Sequence, residues 1–391
     1  MADRVLRMGV VGLSRGFELS RRTLAADPRI RLVAAADPRL EARTAFQAEF
    51  GGEVYPTAGM LFADPAVEVV YIATPHESHV ELAIQAAEAG KHILVEKPMA
   101  LDLASCRAMI DAAARAGVQL LVGPSHGFDP PAAWATNFID SGALGRPRMA
   151  TMLTYTDFLY RPRRPQELDT ALGGGVVFSQ AVHQVDVIRG LMDAPVTRVR
   201  ATAGRWDPDR PTEGAYQAFL AFEDGASAVL TYSGYGRYDT DALMNWIGET
   251  GVARDADAYG LARQRLEASD SEALLKTARA YGSHAPEPPP VTGHEHFGFV
   301  LVSCEGGDLR LTPSGVEVYT PTERRIVTLD LPQSGATRRG VIDELWAAVV
   351  EGAPARRNGE WGRETLAICL AILRAAREGR EVAISELEDR P

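Results

Sequence analysis

Through residues 1–123, short and almost wholly apolar runs alternate with longer stretches whose apolar positions recur every three or four residues. The runs at 5–11, 31–36, 67–73, 92–95 and 118–122 read as strands, and the stretches at 77–89 and 103–116 as helices. In the first of these helices Val80, Leu82, Ala83, Ile84 and Ala87 supply the apolar positions. Strands alternating with helices build βαβ units, whose right-handed crossovers give a parallel sheet. Strands apolar at nearly every position are those covered by helices on both faces. The pattern predicts an α/β fold with a doubly wound parallel sheet over 1–123.

Beyond Gly123 the period shortens to two. Segments 148–156, 196–202, 216–222, 226–232 and 315–319 alternate apolar with polar residues, as half-buried antiparallel strands do. Helices are expected over 176–191, 338–351 and 363–378, the last with Leu366, Cys369, Leu370 and Leu373 on one face. A second, α+β domain is therefore placed at 124–391. Within it, 283–293 gathers Pro286, Pro288, Pro289 and Pro290 and reads as a surface excursion.

Composition narrows the function classes. The 391 residues suit two domains, at about 150 residues each. The formal charge of −11 sets the surface against nucleic acid and anionic membranes. Cys106, Cys304 and Cys369 lie far apart, which argues against a disulfide framework or a zinc knuckle. No apolar run reaches the length of a membrane span, and the N-terminus lacks the order of a signal peptide. A cytoplasmic enzyme acting on a small molecule is expected, with no metal. The pair His294 and His296 has metal-like spacing but lacks a third ligand.

The first strand ends in Gly9-Val-Val-Gly12-Leu-Ser14-Arg15-Gly16-Phe17 and opens a helix, the place where a dinucleotide's pyrophosphate meets free N–H groups. Against the G-x-G-x-x-G register, Gly12 fits, Ser14 replaces the second glycine and Phe17 the third; Gly16 offers close approach one residue early. Asp37 ends the second strand, where a carboxylate accepts ribose hydroxyls and repels a 2′-phosphate. It could equally cap the next helix. NAD is the preferred cofactor, and Arg39 leaves NADP open.

Two further stretches carry a resemblance. Ala73-Thr74-Pro75-His76-Glu77-Ser78-His79, followed by Gly90-Lys-His-Ile-Leu-Val-Glu96-Lys97-Pro98, resembles the T-P-x-x-x-H and G-K-H-V-x-x-E-K-P motifs of the Gfo/Idh/MocA family of NAD(P)-dependent oxidoreductases. Gly173-Gly-Gly175-Val-Val-Phe-Ser179-Gln180-Ala-Val-His183-Gln-Val-Asp186 is similar to its G-G-x-x-x-D/N-x-x-x-H-x-x-D pattern. The resemblance covers nearly the whole chain. It implies an N-terminal Rossmann domain, a C-terminal α+β domain with a mostly antiparallel, open-faced sheet, and a homo-oligomer, dimer or tetramer. It places Thr74, Pro75, His76, His79, Glu96 and Lys97 around the cofactor.

The chemistry of these residues is consistent with that. Lys97 follows a buried parallel strand, at the end where open α/β sheets bind ligands. Desolvation can bring a lysine toward neutrality and suit it to proton transfer. Pro98 forces a turn that a cis peptide before it or before Lys97 would accommodate. His183 lies four residues from Ser179 and three from Asp186, expected on one helix face. The family's Asp or Asn is Ser179 here. A serine is no base near neutral pH, which leaves Lys97 and His183 as candidate acid/base groups.

For the substrate, Tyr160-Arg161-Pro-Arg163-Arg164-Pro165, the glycine run and Tyr232-Ser-Gly-Tyr235-Gly resemble the phthalate 4,5-cis-dihydrodiol dehydrogenase branch. Arginine forks pair bidentately with carboxylates, so Arg161, Arg163 and Arg164 are candidate substrate ligands beside Lys97, His126, Ser179 and His183. A solvated basic loop or an oligomer contact is the alternative for the arginines. Tyr155, Phe158, Tyr160, Trp206, Tyr232 and Tyr235 are candidate apolar walls. The expected reaction is hydride transfer from a CH–OH group of a cyclic substrate. A sugar or cyclitol dehydrogenase and a non-catalytic nucleotide sensor remain as alternatives.

Overall fold

The computed structural model describes residues 4–388 apart from 124, 259, 284–288 and 332–337. The chain forms two compact units. Of the described residues, the first unit holds 4–123, 274–283 and 338–366, and the second holds the rest. Part of the expected proline-rich excursion, 284–288, lies outside the described residues, while Pro289 and Pro290 are exposed.

The first unit is built on six parallel strands: β1 (Leu6–Val11), β2 (Ile30–Ala36), β3 (Glu53–Tyr55), β4 (Val69–Ile72), β5 (His92–Val95) and β6 (Leu120–Val122). Their order is β3-β2-β1-β4-β5-β6, so the chain reverses direction of growth between β1 and β4. Such a reversal leaves a crevice at the carboxyl ends of those two strands. Every residue of β4 is buried, as are Leu6, Met8, Val10 and Val11 of β1. Only β3 was not legible in advance, because three residues are too few to show a period.

Phe17 does not face that crevice. It is fully buried, edge-on to Tyr281 at 5.0 Å between ring centroids and tilted against Phe46 at 6.0 Å. The position of the third fingerprint glycine is thus a core position here, and Phe17 makes its contribution by holding helix Arg15–Ala26 against helix Leu40–Phe50.

The second unit carries a nine-stranded sheet. Its strands are β7 (Pro147–Tyr155), β8 (Val196–Gly204), β9 (Ala215–Phe222), β10 (Ser227–Ser233), β11 (Phe299–Cys304), β12 (Gly307–Thr312), β13 (Gly315–Tyr319), β14 (Arg324–Thr328) and β15 (Val382–Ala383). The order is β14-β13-β12-β11-β7-β10-β9-β8-β15, antiparallel throughout except where β10 runs parallel to β7. Alternation sorts the two faces. Ala150, Met152, Leu220, Leu230, Val300, Val302, Val316 and Val318 are buried in one core with residues of helices Pro130–Asp140 and Val182–Met192 and with Ile368, Cys369 and Ile372. The opposite row runs through Phe219, Val229, Thr151 and Leu301 by strand register, and Phe219 and Val229 are exposed. The strand β14, with Arg324 and Arg325, is too polar to signal itself by alternation.

Replacing Phe17 by Ala is expected to cost about 3–5 kcal/mol, the usual range for deleting a buried aromatic ring. Denaturant unfolding monitored by circular dichroism measures it; a change below about 1 kcal/mol would contradict the packing role.

Candidate active site

In the first unit, the turn after β1 starts from a backbone constraint. Gly12 adopts φ +88°, and a Cβ there would stand 2.7 Å from the Thr74 side chain and 2.9 Å from its backbone nitrogen. The turn after β1 therefore lies directly against the turn after β4. The Ser14 hydroxyl donates to Ala73 O at 2.6 Å across the same gap and does not cap the helix that follows. Helix Arg15–Ala26 thus starts without a side-chain cap, and a helix N-terminus is where an anion such as a pyrophosphate is favoured. This cradle fits a dinucleotide. Arg15 is exposed at its mouth, and Gly16 lies close to the Glu96 carboxylate, 3.1 Å from where a Cβ would stand.

Asp37 is buried and its carboxylate is heavily engaged. Leu13 N–H donates to Oδ2 at 2.8 Å, and Arg39 donates from its backbone N–H at 2.9 Å and from Nε at 3.0 Å to Oδ1. Arg39 also donates to Leu13 O at 2.6 Å. The two residues brace the loop that carries Leu13, at the end of β2 where a ribose is recognised.

On the other side of the crevice, His79 is buried with Nε2 3.0 Å from Thr74 O and Nδ1 3.0 Å from Pro98 O. Burial pulls it down to about 4, so the ring is neutral near pH 7 and its single N–H donates to one of the two carbonyls, which belong to two different loops. One of those loops carries half-buried Lys97, whose peptide to Pro98 is cis. Beside it the Glu96 carboxyl is raised by burial, against the opposing pull of Lys97, and accepts a 2.6 Å hydrogen bond from Tyr71. Ser78 donates to Thr74 Oγ1 at 2.8 Å, and half-buried His76 lies 3.7 Å from Glu77.

In the second unit, the glycine run leads into the helix that carries His183. The expected continuous α-helix over 176–191 is instead a π-helical turn, Val177–Ala181, followed by α-helix Val182–Met192. Ser179 lies in the π-helical turn and His183 in the α-helix that follows it. Such turns recur at functional sites. Buried Glu213 anchors the start of this helix. Its carboxylate accepts from Val177 N–H at 3.2 Å, Thr212 Oγ1 at 3.1 Å and Thr170 Oγ1, while its carbonyl accepts from Val176 N–H at 3.1 Å. Gly175, at φ +85°, makes room: any Cβ would collide with that carboxylate.

His183 is buried, with Ser125 Oγ 3.3 Å from Nδ1, the His126 ring edge-on at 4.7 Å and Phe297 at 5.0 Å. His126 is held 2.6 Å from Asp129 by its Nδ1. Burial opposes charge on His126, but Asp129 and, more weakly, Glu295 and Glu249 outweigh it and raise the ring above its ordinary value. Arg161 joins this network: Nε donates to Asp157 at 2.8 Å, and a terminal nitrogen lies 2.8 Å from Glu249. Burial works against the Glu249 charge, yet Arg161 and His126 hold the carboxyl down at about 2. Arg163 lies over the Phe158 ring, and Arg164 pairs with Glu167 at 3.6 Å. Phe158, Tyr160, Tyr232 and Tyr235 are buried; Trp206 is 67% exposed and stacks on Tyr235.

Asp129, Glu213, Glu249 and Phe297 escaped sequence reasoning. Asp129, three residues after His126 and before Pro130, had a readable signal as a helix cap; the others lie in loops or after the proline-rich stretch without pattern. His296 uses both ring nitrogens on backbone, donating to Ile247 O at 2.8 Å and accepting from Gly298 N–H at 3.1 Å. Among the described residues no trio of His, Cys, Asp or Glu is arranged to hold a metal, and no helix is long and apolar enough to cross a membrane.

Comparison with known proteins accords with this arrangement. Residues 6–124 match the oxidoreductase family with an NAD-binding Rossmann fold, and residues 133–254 match the GFO/IDH/MocA C-terminal domain. The chain is 44% identical over 375 residues to 1-carboxy-3-chloro-3,4-dihydroxycyclo hexa-1,5-diene dehydrogenase of Comamonas testosteroni, with 94% of each chain covered. It is 29% identical over 256 residues to scyllo-inositol 2-dehydrogenase (NAD(+)) of Bacillus subtilis (strain 168), covering 64% of this chain and 73% of the other. A crystal structure from Bordetella bronchiseptica RB50 matches with a TM-score of 0.92 at 40% identity, over 97% of this chain and 100% of that one.

Gly175→Ala is expected to lower the melting temperature and the turnover together, since a left-handed backbone alone costs about 1–2 kcal/mol in an L-residue and the clash adds to it; unchanged values in a thermal melt and a rate assay would remove the constraint. The Glu249 pairing predicts a pH window. A carboxyl held below its ordinary 4.5 stabilises the fold above that pH, and the contribution disappears as pH falls toward 2. Urea unfolding at pH 6, 4 and 3 should show Glu249→Gln losing less stability over that descent than the unsubstituted protein.

Proposed function

The chain belongs to the GFO/IDH/MocA family of NAD-dependent oxidoreductases, and from that premise we propose that it oxidises a carboxylated cis-dihydrodiol. The observation that carries the proposal is the 44% identity, over 94% of the chain, to a dehydrogenase whose named substrate is a carboxylated, dihydroxylated cyclohexadiene.

Bound NAD⁺ supplies the hydride acceptor. The Gly12–Phe17 turn and helix start would hold its pyrophosphate, Asp37 and Arg39 its ribose, and Thr74, Pro75, His76, His79 and Glu96 would surround the remainder. Lys97 Nζ or a ring nitrogen of His183 takes the proton of the reacting hydroxyl. Ser179 serves as a hydrogen-bonding group, since it cannot act as the base. The ketone formed from a cis-dihydrodiol tautomerises to a catechol, and aromatisation draws the oxidation forward. Oxidation of a cyclitol hydroxyl is the second reading, favoured by the similarity to scyllo-inositol 2-dehydrogenase. NAD is preferred over NADP in this proposal. The enzyme works in the cytoplasm as a homo-oligomer, dimer or tetramer, joined through the exposed sheet row of Phe219 and Val229.

Absorbance at 340 nm during incubation with NAD⁺ and a panel of dihydrodiols, sugars and cyclitols tests the substrate class. Turnover of cyclitols but of no dihydrodiol would replace the first reading by the second. With the accepted substrate, Lys97→Ala and His183→Ala are each expected to lower kcat about 10²-fold or more, the usual contribution of an acid/base group, and Ser179→Ala less. Normal turnover in either of the first two variants removes that residue from proton transfer.

A further inference from the structure

We infer that Arg163, rather than Arg161 or Arg164, is the receptor for a substrate carboxylate. The inference rests on the carboxylated-substrate reading above and concerns which side chain recognises the carboxylate.

The three arginines differ in how completely their charge is answered. Arg161 faces two carboxylates, Asp157 and Glu249, each at 2.8 Å. A third anion there would meet two negative charges already in place. Arg164 lies 3.6 Å from Glu167, whose carboxylate also accepts its backbone N–H at 2.6 Å. The Arg163 side chain is 11% exposed; its backbone N–H donates to Glu272 at 2.6 Å, but its guanidinium stands 4.0 Å from the Glu167 carboxylate. That exceeds hydrogen-bonding distance. One terminal nitrogen donates to Phe158 O at 2.9 Å, and Nε is buried with no partner. The guanidinium carbon lies 3.5 Å from the Phe158 ring centroid.

A buried cation whose counter-charge lies beyond hydrogen-bonding distance is costly, and an incoming anion removes part of that cost. The cost is visible in the ionisation of Arg163, which burial pulls down to about 10 in spite of Glu167, with the neighbouring Arg161 charge adding to the effect. Stacking over Phe158 fixes the plane of the fork, and a planar fork matches a carboxylate better than a hydroxyl. The position is also right. Phe158 N–H donates to Thr156 Oγ1 at 3.1 Å, that hydroxyl lies 3.0 Å from Tyr232 OH, and the Tyr232 ring stacks on Phe297, which contacts His183 at 5.0 Å. Phe158, under Arg163, and Phe297, beside His183, thus belong to one buried core of the second unit, linked through Thr156 and Tyr232.

The test uses two diols that differ in the carboxylate alone, the cis-dihydrodiols of benzoate and of benzene, together with benzoate binding to the NAD⁺-loaded protein by calorimetry. Arg163→Ala is expected to raise KM for the carboxylated diol about ten- to a hundredfold, the range of a lost charged hydrogen bond, and to leave KM for the benzene diol unchanged. Benzoate affinity should fall in parallel. Arg163→Lys, which keeps the charge and loses the fork, should recover part of both. A KM ratio and a benzoate affinity unchanged in Arg163→Lys and in folded Arg163→Ala overturn the inference. If neither diol is oxidised by the unsubstituted protein, the substrate reading fails by itself. The calorimetric arm then decides for Arg163: benzoate bound by the unsubstituted protein and lost in both variants supports it, and any other result overturns it.

Discussion

Charge removed from water has to be answered by opposite charge or hydrogen bonds within a few ångströms, and the second unit is organised around that requirement. Glu213 is answered by two threonine hydroxyls and a helix N–H. Arg161 is answered by Asp157 and Glu249, and His126 by Asp129. Each of these pairings fixes a backbone segment as well as a charge: the start of the His183 helix, the loop after β7, and the turn before helix Pro130–Asp140. The position of His183 is the joint result. Arg163 is the partial exception, and it is the exception that has chemical meaning, because a charge left incompletely answered in the free protein is one that a ligand can complete.

A second constraint is steric. In each unit the chain enters a helix through a glycine at positive φ where a Cβ would meet something else: Thr74 at Gly12, the Glu213 carboxylate at Gly175. In the first unit the close approach brings the carboxyl ends of β1 and β4 together. In the second it lets a carboxylate reach the first turn of a helix from outside the helix. Different partners use the same freedom, the Thr74 turn in one unit and the Glu213 carboxyl in the other.

Substituting serine for the usual carboxylate or amide at 179 fits the same logic. A carboxylate at that position would add negative charge to a unit that already contains Asp129, Asp157, Glu213 and Glu249 near the helix and its neighbours. Serine keeps a donor and an acceptor without that charge.

By itself the sequence determined the periodicities, and with them the parallel sheet, the alternating second sheet and most strand positions, because burial on one or two faces imposes a period whatever the neighbours are. The turn register also singled out Gly12, while Lys97, His183 and the glycine run stood out through the family resemblance of the motifs that hold them. Phe17 reads as an imperfect glycine in that register, and only packing against Tyr281, far along the chain, shows it to be a core residue. The π-helical turn at Val177–Ala181 was equally hidden, because one extra residue per turn leaves no compositional mark. The partners of buried charges were decided by tertiary structure alone. Glu213 lies 36 positions from Val177, and Glu249 is as remote from Arg161 in sequence as it is close in space. Electrostatic compensation acts through distance in three dimensions, and a linear pattern carries no record of it.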